Sequence, residues 1–344
     1  MAVNRGEGER RAPTARENGA ESSADPFQGT SPALVDFLAR LRQAAESEST
    51  VLLTGESGTG KGRAARRLHA ASPRAAGPFV AVSLVATSGT LVEGTLFGHE
   101  RGAFTDAHRS RLGLFRRAEG GTLVLEDVEH LPLETQVKLL RVLQERVVEP
   151  LGAEASVPVD VRVVATASEP LERVVEAGRF RQDLFYRLAV LPLEVPPLRV
   201  RRDDLPVLAS GLVASVAARV GVPPRPLAEE ALAALRAHAW PGNVRELENA
   251  LERVLVLGPE PGSRAPIEAA ELAFLREEHA RAADELARTA LAQGLTVDDV
   301  ALAMMERALR EHRGNVSAAA RSVGLTRRAF DYRRSQARGE ESPA

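Results

Sequence analysis

The chain contains no cysteine, which excludes disulfide staples, thiolate metal sites and a cysteine nucleophile. Aromatic residues are scarce, at 4%, so a core has to be assembled from Leu, Val and Ala. The most apolar run, Leu205 to Ala218, is interrupted by Pro206 and is too short for a membrane span, which needs about 20 residues. The N-terminus has no apolar stretch of the kind a signal peptide requires. A cytoplasmic location without a membrane partner is therefore the expectation. An excess of one charge sign is also missing, the net charge being −2 over 344 residues, so the total does not announce a nucleic-acid partner. The seven histidines are scattered without metal-ligand spacing.

What is present is the balance of a globular protein, 44% apolar and 27% charged, with room for two or three domains. Residues 1–26 are rich in Gly, Ala, Glu, Arg and Ser without an apolar period. They cannot offset their ordering entropy and read as a disordered tail. From Phe27 to about Pro197, short apolar runs alternate with amphipathic stretches. The runs are Val51–Thr54, Phe79–Val82, Thr122–Leu125, Val161–Thr166 and Val190–Val195. Each is continuous rather than alternating, as expected of strands buried on both faces. Strands alternating with helices imply crossover connections and a parallel sheet, hence an α/β fold. One helical pattern puts Val137, Leu140, Leu143 and Val147 on a common face.

After Pro196-Pro197 the strand signals stop. Residues 198–258 read as an all-helical lid, with Ala228, Ala231, Leu232, Leu235 and Ala239 on one face. Residues 259–295 read as a linker followed by a helical segment, 296–338 as a small basic all-α unit, and 339–344 as a tail.

Gly55-Glu56-Ser57-Gly58-Thr59-Gly60-Lys61 follows the first strand and opens a helical stretch, Arg63–Ala71. That is the context in which G-x-x-x-x-G-K forms a phosphate-binding loop. Its glycines let the backbone wrap a phosphate chain, its amides point inward, and the helix N-terminus favours an anion. Lys61 supplies a point charge for the β- and γ-phosphates. A glycine-rich turn with an incidental lysine is the alternative, and strand before with helix after argues against it. Position 62 is Gly, where most P-loops place a Ser or Thr hydroxyl on Mg²⁺.

Further segments follow in order. Leu96-Phe97-Gly98-His99-Glu100-Arg101-Gly102-Ala103-Phe104-Thr105-Asp106-Ala107 resembles the surface loop of the sigma-54-dependent AAA+ transcription activators. Gly120 to Asp127 resembles their Walker B strand, and Lys138 to Glu145 the helix after it. Phe180 to Leu188 is similar to their arginine-finger segment, and Trp240 to Leu247 to their lid motif. The resemblance implies a ring-forming ATPase, dimer to hexamer, that uses ATP and Mg²⁺ to remodel sigma-54 RNA polymerase. It implies that Arg181 and Arg187 reach the γ-phosphate of a neighbouring subunit and that Arg245 senses nucleotide from the lid. It implies that Gly102, Ala103, Phe104, Thr105, Asp106 and Ala107 form the loop that contacts sigma. In the family the first Walker B carboxylate holds Mg²⁺ through water and the second orients the attacking water, roles that fall on Glu126 and Asp127.

The departures from the family cluster in this chemistry. Its Walker B ends in Asp-Glu, and here the order is Glu126-Asp127. Each carboxylate is displaced by one methylene, roughly 1 Å, and such a shift can cost about 10²-fold in rate. Ala167-Ser168 stands at the sensor position Thr-Asn, Ser83 at an Asn, Gly62 at a Glu, and Asp106 at the second glycine of the loop. The binding elements survive better than those that polarise water. Slow hydrolysis and a nucleotide-gated DNA-binding regulator independent of sigma-54 both remain open on this pattern, as does a DNA-bridging scaffold with a vestigial loop.

Gly314 to Phe330 carries helix-turn-helix punctuation. A first helix begins near Val316, Gly324 supplies the turn, and Thr326 can cap the second helix. It resembles the Fis-type unit of the same activators. From Arg307 to Arg338 there are nine arginines against Glu311 and Asp331, a net +7 and a footprint for phosphate contacts with double-stranded DNA. Thr326, Arg327, Arg328, Asp331 and Arg333 are the DNA-facing candidates. Met304, Met305, Ala308 and Leu309 are either a dimer seam or core.

Overall fold

The computed structural model describes residues 25–85, 89–103, 109–258, 262–312 and 314–337. Five parallel strands form the central sheet: β1 Val51–Thr54, β2 Phe79–Ser83, β3 Thr122–Glu126, β4 Arg162–Ala167 and β5 Leu191–Glu194. Their order is β2-β3-β4-β1-β5, with Val51 opposite both Val164 and Leu191. Alternate residues of these strands go to opposite faces. Leu52, Leu123, Leu125, Val163 and Ala165 pack with Leu96, Phe97, Phe115 and Leu139. Val51, Leu53, Val124, Val164 and Leu193 pack with Leu34, Phe37, Leu41, Ala64 and Leu68. Two apolar layers, one on each side of the sheet, explain why the strands read as unbroken apolar runs.

The helix Leu133–Glu145 differs from expectation. It buries Thr135, Gln136, Leu139, Val142 and Leu143, while Val137 is 49% exposed. Val147 lies beyond the helix in a two-residue strand, after Arg146 turns left-handed at φ 57°. A buried polar residue rotates the face. The Gln136 amide donates to the Leu131 and Arg179 carbonyls at 2.8 and 3.0 Å and accepts from Arg181 N at 2.8 Å. Hydrophobic periodicity cannot credit a glutamine that is satisfied in this way.

The tail expected over residues 1–26 makes contacts at its end. Residues 1–24 lie outside the described residues, but Asp25 pairs with Arg67 at 2.9 Å, and the Pro26 carbonyl accepts from buried Arg201 at 2.6 Å. On the lid side, Leu205–Val220, Glu229–Ala237 and Asn243–Leu257 are helices. Ala231 and Leu235 are the buried residues of the second; Ala239 lies past its end and is exposed. The lid packing continues past residue 258, because Ile267 and Leu272 are buried and Ile267 bridges Leu227.

Arg225 fixes that extension. Its guanidinium donates to the Ala265 and Pro266 carbonyls and forks onto both oxygens of Glu271 at 2.8 Å, with the two side chains only 7% and 10% exposed. Hydrogen bonding from Arg225 holds the Glu271 carboxyl below its ordinary 4.5, against the upward push of burial. A depressed acid contributes stability that is fully present above the unfolded value and is lost as pH falls through the lower folded one. Arg225→Ala is expected to cost about 3 kcal/mol, since it strands a buried carboxylate. The check is thermal melting at pH 7 and below 4.5, where the deficit shrinks as Glu271 protonates.

The chain divides into two compact units, Met1–Leu272 and Ala273–Ala344. The second contains the helices Phe274–Ala292, Val297–Glu311, Val316–Ser322 and Arg327–Ala337. Met305, Ala308, Ala319, Ala320 and Phe330 form its core, with Leu309, Val316, Val323 and Leu325 packed around them. Met305 and Ala308 are thus core residues, while Met304 is exposed. No helix among the described residues is long and apolar enough to cross a membrane.

Candidate nucleotide and DNA sites

The loop after β1 can turn only because of its glycines. Gly58 has φ +79°, and a Cβ there would lie 2.2 Å from the Gly242 carbonyl oxygen. Gly60, at φ 102°, caps the helix Lys61–Ala70. Lys61 is buried, and its ammonium donates to the Gly55 carbonyl (2.8 Å), the Glu56 carbonyl (3.1 Å) and Ser168 Oγ (2.8 Å). Burial pushes its pKa down, and the charges of Asp127, Glu129 and Glu126 oppose that shift. The Ser168 hydroxyl in turn donates to Asp127 Oδ1 at 2.9 Å. Lys61, Ser168 and Asp127 therefore form one chain of hydrogen bonds.

Asp127 is aimed by strain. Its backbone is left-handed, at φ 59°, and its amide donates to Thr166 Oγ1 at 3.1 Å. Glu126 ends β3 beside the helix that follows the loop, and a Cβ at Gly62 would lie 2.8 Å from Glu126 Oε1. Ser83 is the register partner of Glu126 on β2. The sequence reading missed Glu129, whose Oε1 accepts the Ser168 and Glu169 amides at 2.7 and 3.3 Å. The signal was a third carboxylate within four residues of Glu126.

The lid grips the loop from its other side. Gly58 O accepts the Val244 amide at 3.0 Å, and Arg245 Nη1 donates to Ser57 Oγ at 2.9 Å. Asn243, fully buried, donates to Ser57 O and to Glu56 Oε2 and accepts the Leu198 amide at 2.9 Å. Arg199 completes the junction through a 2.7 Å ion pair with Glu56. Burial raises the Glu56 pKa, but hydrogen bonds from Arg199 and Asn243 and the Arg199 charge outweigh it, leaving the carboxyl below its ordinary value. The Glu56 side chain thus serves the lid. The roles of Asn243 and Arg199 were invisible in the sequence because their partners are distant in the chain.

Arg181 and Arg187 stand apart from this cluster. Arg181 pairs with Asp183 at 2.7 Å, and Arg187 donates to the Leu143 carbonyl at 3.2 and 2.9 Å. Among the described residues neither contacts the loop carrying Lys61. Gly102 turns at φ +84°, with nothing among the described residues within 4 Å of where a Cβ would stand, and the Ala103 amide donates to the Glu100 carbonyl. Phe104, Thr105, Asp106 and Ala107 lie outside the described residues.

In the C-terminal unit, Asn315 caps its helix by accepting Ala318 N at 3.1 Å. Gly324 turns at φ +72°, and Thr326 Oγ1 accepts Ala329 N at 3.2 Å. Phe330 points inward, fully buried, while Arg327, Arg328, Asp331 and Arg333 are exposed on the same helix. Arg327 lies 3.8 Å from Asp331. Arg334 is half-buried.

A glycine loop between strand and helix, a buried lysine at its end, a carboxylate-tipped neighbouring strand and a helical lid define a P-loop domain of the AAA+ class. Family models match the same chain in three consecutive stretches: the sigma-54 interaction domain over residues 27–194, the AAA+ ATPase lid domain over 199–288, and the Fis family of bacterial regulatory proteins over 296–336. The chain is 45% identical over 253 residues to the DNA-binding transcriptional regulator NtrC of a Bradyrhizobium strain, covering 74% of this chain and 52% of that protein. It is 40% identical over 306 residues to the response regulator PilR of Pseudomonas aeruginosa, covering 89% and 68%. Among solved structures, NtrX of Brucella abortus in complex with ATP superposes with a TM-score of 0.67 at 33% identity, covering 90% of this chain and 69% of that one. The chain belongs to the sigma-54-dependent AAA+ activator family. It spans about half the length of the NtrC relative.

Proposed function

We propose that the protein is a DNA-binding transcription regulator that binds ATP and uses its hydrolysis to remodel sigma-54 RNA polymerase. The observation that carries this reading is the cation arrangement around the loop, with Lys61 anchored at its end and Arg245 held on Ser57. Three ammonium hydrogen bonds now made to protein oxygens are available for exchange onto β- and γ-phosphate oxygens. Arg245 is placed to follow the phosphate chain from the lid. Gly55, Glu56, Ser57, Gly58, Thr59, Gly60 and Gly62 supply backbone rather than side-chain chemistry to the phosphates.

Glu126 and Asp127 project beside Lys61, and the bare Gly62 leaves room there. Glu126, a hard oxygen donor, would hold an Mg²⁺ there through water. Such a metal would supply positive charge to offset that of the transferring phosphoryl group. Asp127, held by Ser168 and turned by its left-handed backbone, is placed to accept a proton from attacking water. Arg181 and Arg187, each on partners outside this cluster, fit contacts donated to an adjoining protomer of a homo-oligomer. The loop containing Phe104, Thr105 and Asp106 is the proposed sigma contact.

The test is ATP turnover by purified protein with and without target DNA, alongside Asp127→Ala. Turnover that the variant abolishes supports the reading, and no turnover under oligomerising conditions overturns hydrolysis. The exposed arginines of the last helix are proposed to neutralise DNA phosphates. Arg333→Ala is expected to reduce the slope of log affinity against log salt by about 0.9, one phosphate's worth, in anisotropy titrations at several salt concentrations.

A further inference from the structure

We infer that Gly62 and Glu126 are a single linked feature, in which the Glu126 carboxylate takes over the metal-facing place that a side chain at position 62 would fill. The inference rests on the nucleotide-and-magnesium reading above. A Cβ at Gly62 would stand 2.8 Å from Glu126 Oε1, inside van der Waals contact. The carboxylate therefore occupies the volume into which any residue at 62 would project. That position follows Lys61 in the first turn of its helix, where P-loops present a hydroxyl to Mg²⁺. Here an oxygen reaches the same place from the end of β3.

Backbone conformation gives no reason for the glycine. Gly62 does not adopt a positive φ, and glycine is the poorest helix former after proline. Room for Glu126 does give a reason. An aspartate at 126 would be shorter by one carbon–carbon bond, roughly 1.5 Å, and would draw its oxygens back from the helix. Gly62 with an aspartate leaves a gap, and a side chain at 62 obliges the flexible Glu126 carboxylate to move out of its place. The glycine–glutamate pair stands here in place of a side chain at 62 paired with a shorter aspartate at 126. The charge of Glu126 also favours protonated Lys61, so the carboxylate lies within electrostatic reach of the ammonium that faces the phosphates.

The experiment is equilibrium binding of a fluorescent ATP analogue to the purified full chain, in magnesium chloride and in EDTA. The readout is the ratio of the two dissociation constants, which requires no turnover. Gly62→Ser and Glu126→Asp are each expected to reduce the magnesium-dependent gain in affinity by about 10-fold, as repositioned metal-site groups do. The double variant is expected to recover most of it. Glu126→Gln, of unchanged length but uncharged, should lose as much as Glu126→Asp.

Additive losses in the double variant, or a Glu126→Gln protein with the wild-type ratio, overturn the inference. Wild-type binding indifferent to magnesium overturns it while the nucleotide reading survives. Failure of the wild type to bind nucleotide at all overturns both. Circular dichroism and cooperative melting establish that the variants are folded; should Gly62→Ser not fold, Gly62→Ala, alone and with Glu126→Asp, takes its place.

Discussion

Lys61→Ala is expected to weaken ATP binding by about 100-fold or more in calorimetric titration, which corresponds to about 3 kcal/mol. The ammonium is the charged donor that the loop would carry toward the phosphates, and its three protons have well-placed oxygens in Gly55, Glu56 and Ser168. Alanine removes the charge and also leaves the carbonyls of Gly55 and Glu56 without this donor. Asp127, Glu129 and Glu126, whose fields act on Lys61, would then face one another without their cation. The nucleotide-free protein should therefore melt lower as well. Melting with and without ATP separates the effects: the wild type gains stability from ligand by mass action, and the variant does not. Wild-type affinity in Lys61→Ala would remove the basis for assigning this loop to triphosphate.

Phe330→Ala is expected to abolish DNA binding by unfolding the C-terminal unit rather than by removing a contact. Phe330 is fully buried, and its companions in that core are Met305, Ala308, Ala319 and Ala320. Truncating a buried phenylalanine costs about 3–5 kcal/mol, a large share of what so small a core can supply. The three alanines among those companions leave little side chain to collapse into the void. Circular dichroism should show a loss of helix alongside the loss of binding in anisotropy. Exposed Arg333 separates the two causes, because its replacement should weaken binding without loss of helix.

The strands were legible because each is covered on both faces and reads as an uninterrupted apolar run. The phosphate loop was legible for a different reason: a strand, a glycine turn and a helix are contiguous in the chain. What stayed hidden depends on polar side chains satisfied at long range. Gln136 sits in the core because three backbone groups saturate its amide, and this turns its helix away from the face that hydrophobicity predicts. Glu129 anchors the Ser168 amide on another strand's end, and Asn243 connects Glu56, Ser57 and Leu198. Nothing near these residues in the chain announces their partners. The reversed Glu126-Asp127 and the bare Gly62 were visible as separate oddities, and only their proximity makes them one.

The Gly58 peptide unit connects two parts of the molecule. Its glycine lies in the turn after β1, and its carbonyl oxygen is held by the Val244 amide while Gly242 presses close above. Any reorientation of this peptide when phosphate arrives must be felt at the start of the helix Asn243–Leu257, with no intervening segment to absorb it. Ligand occupancy is thereby expected to turn the lid at its pivot, and amide exchange along that helix should report the filling of the loop.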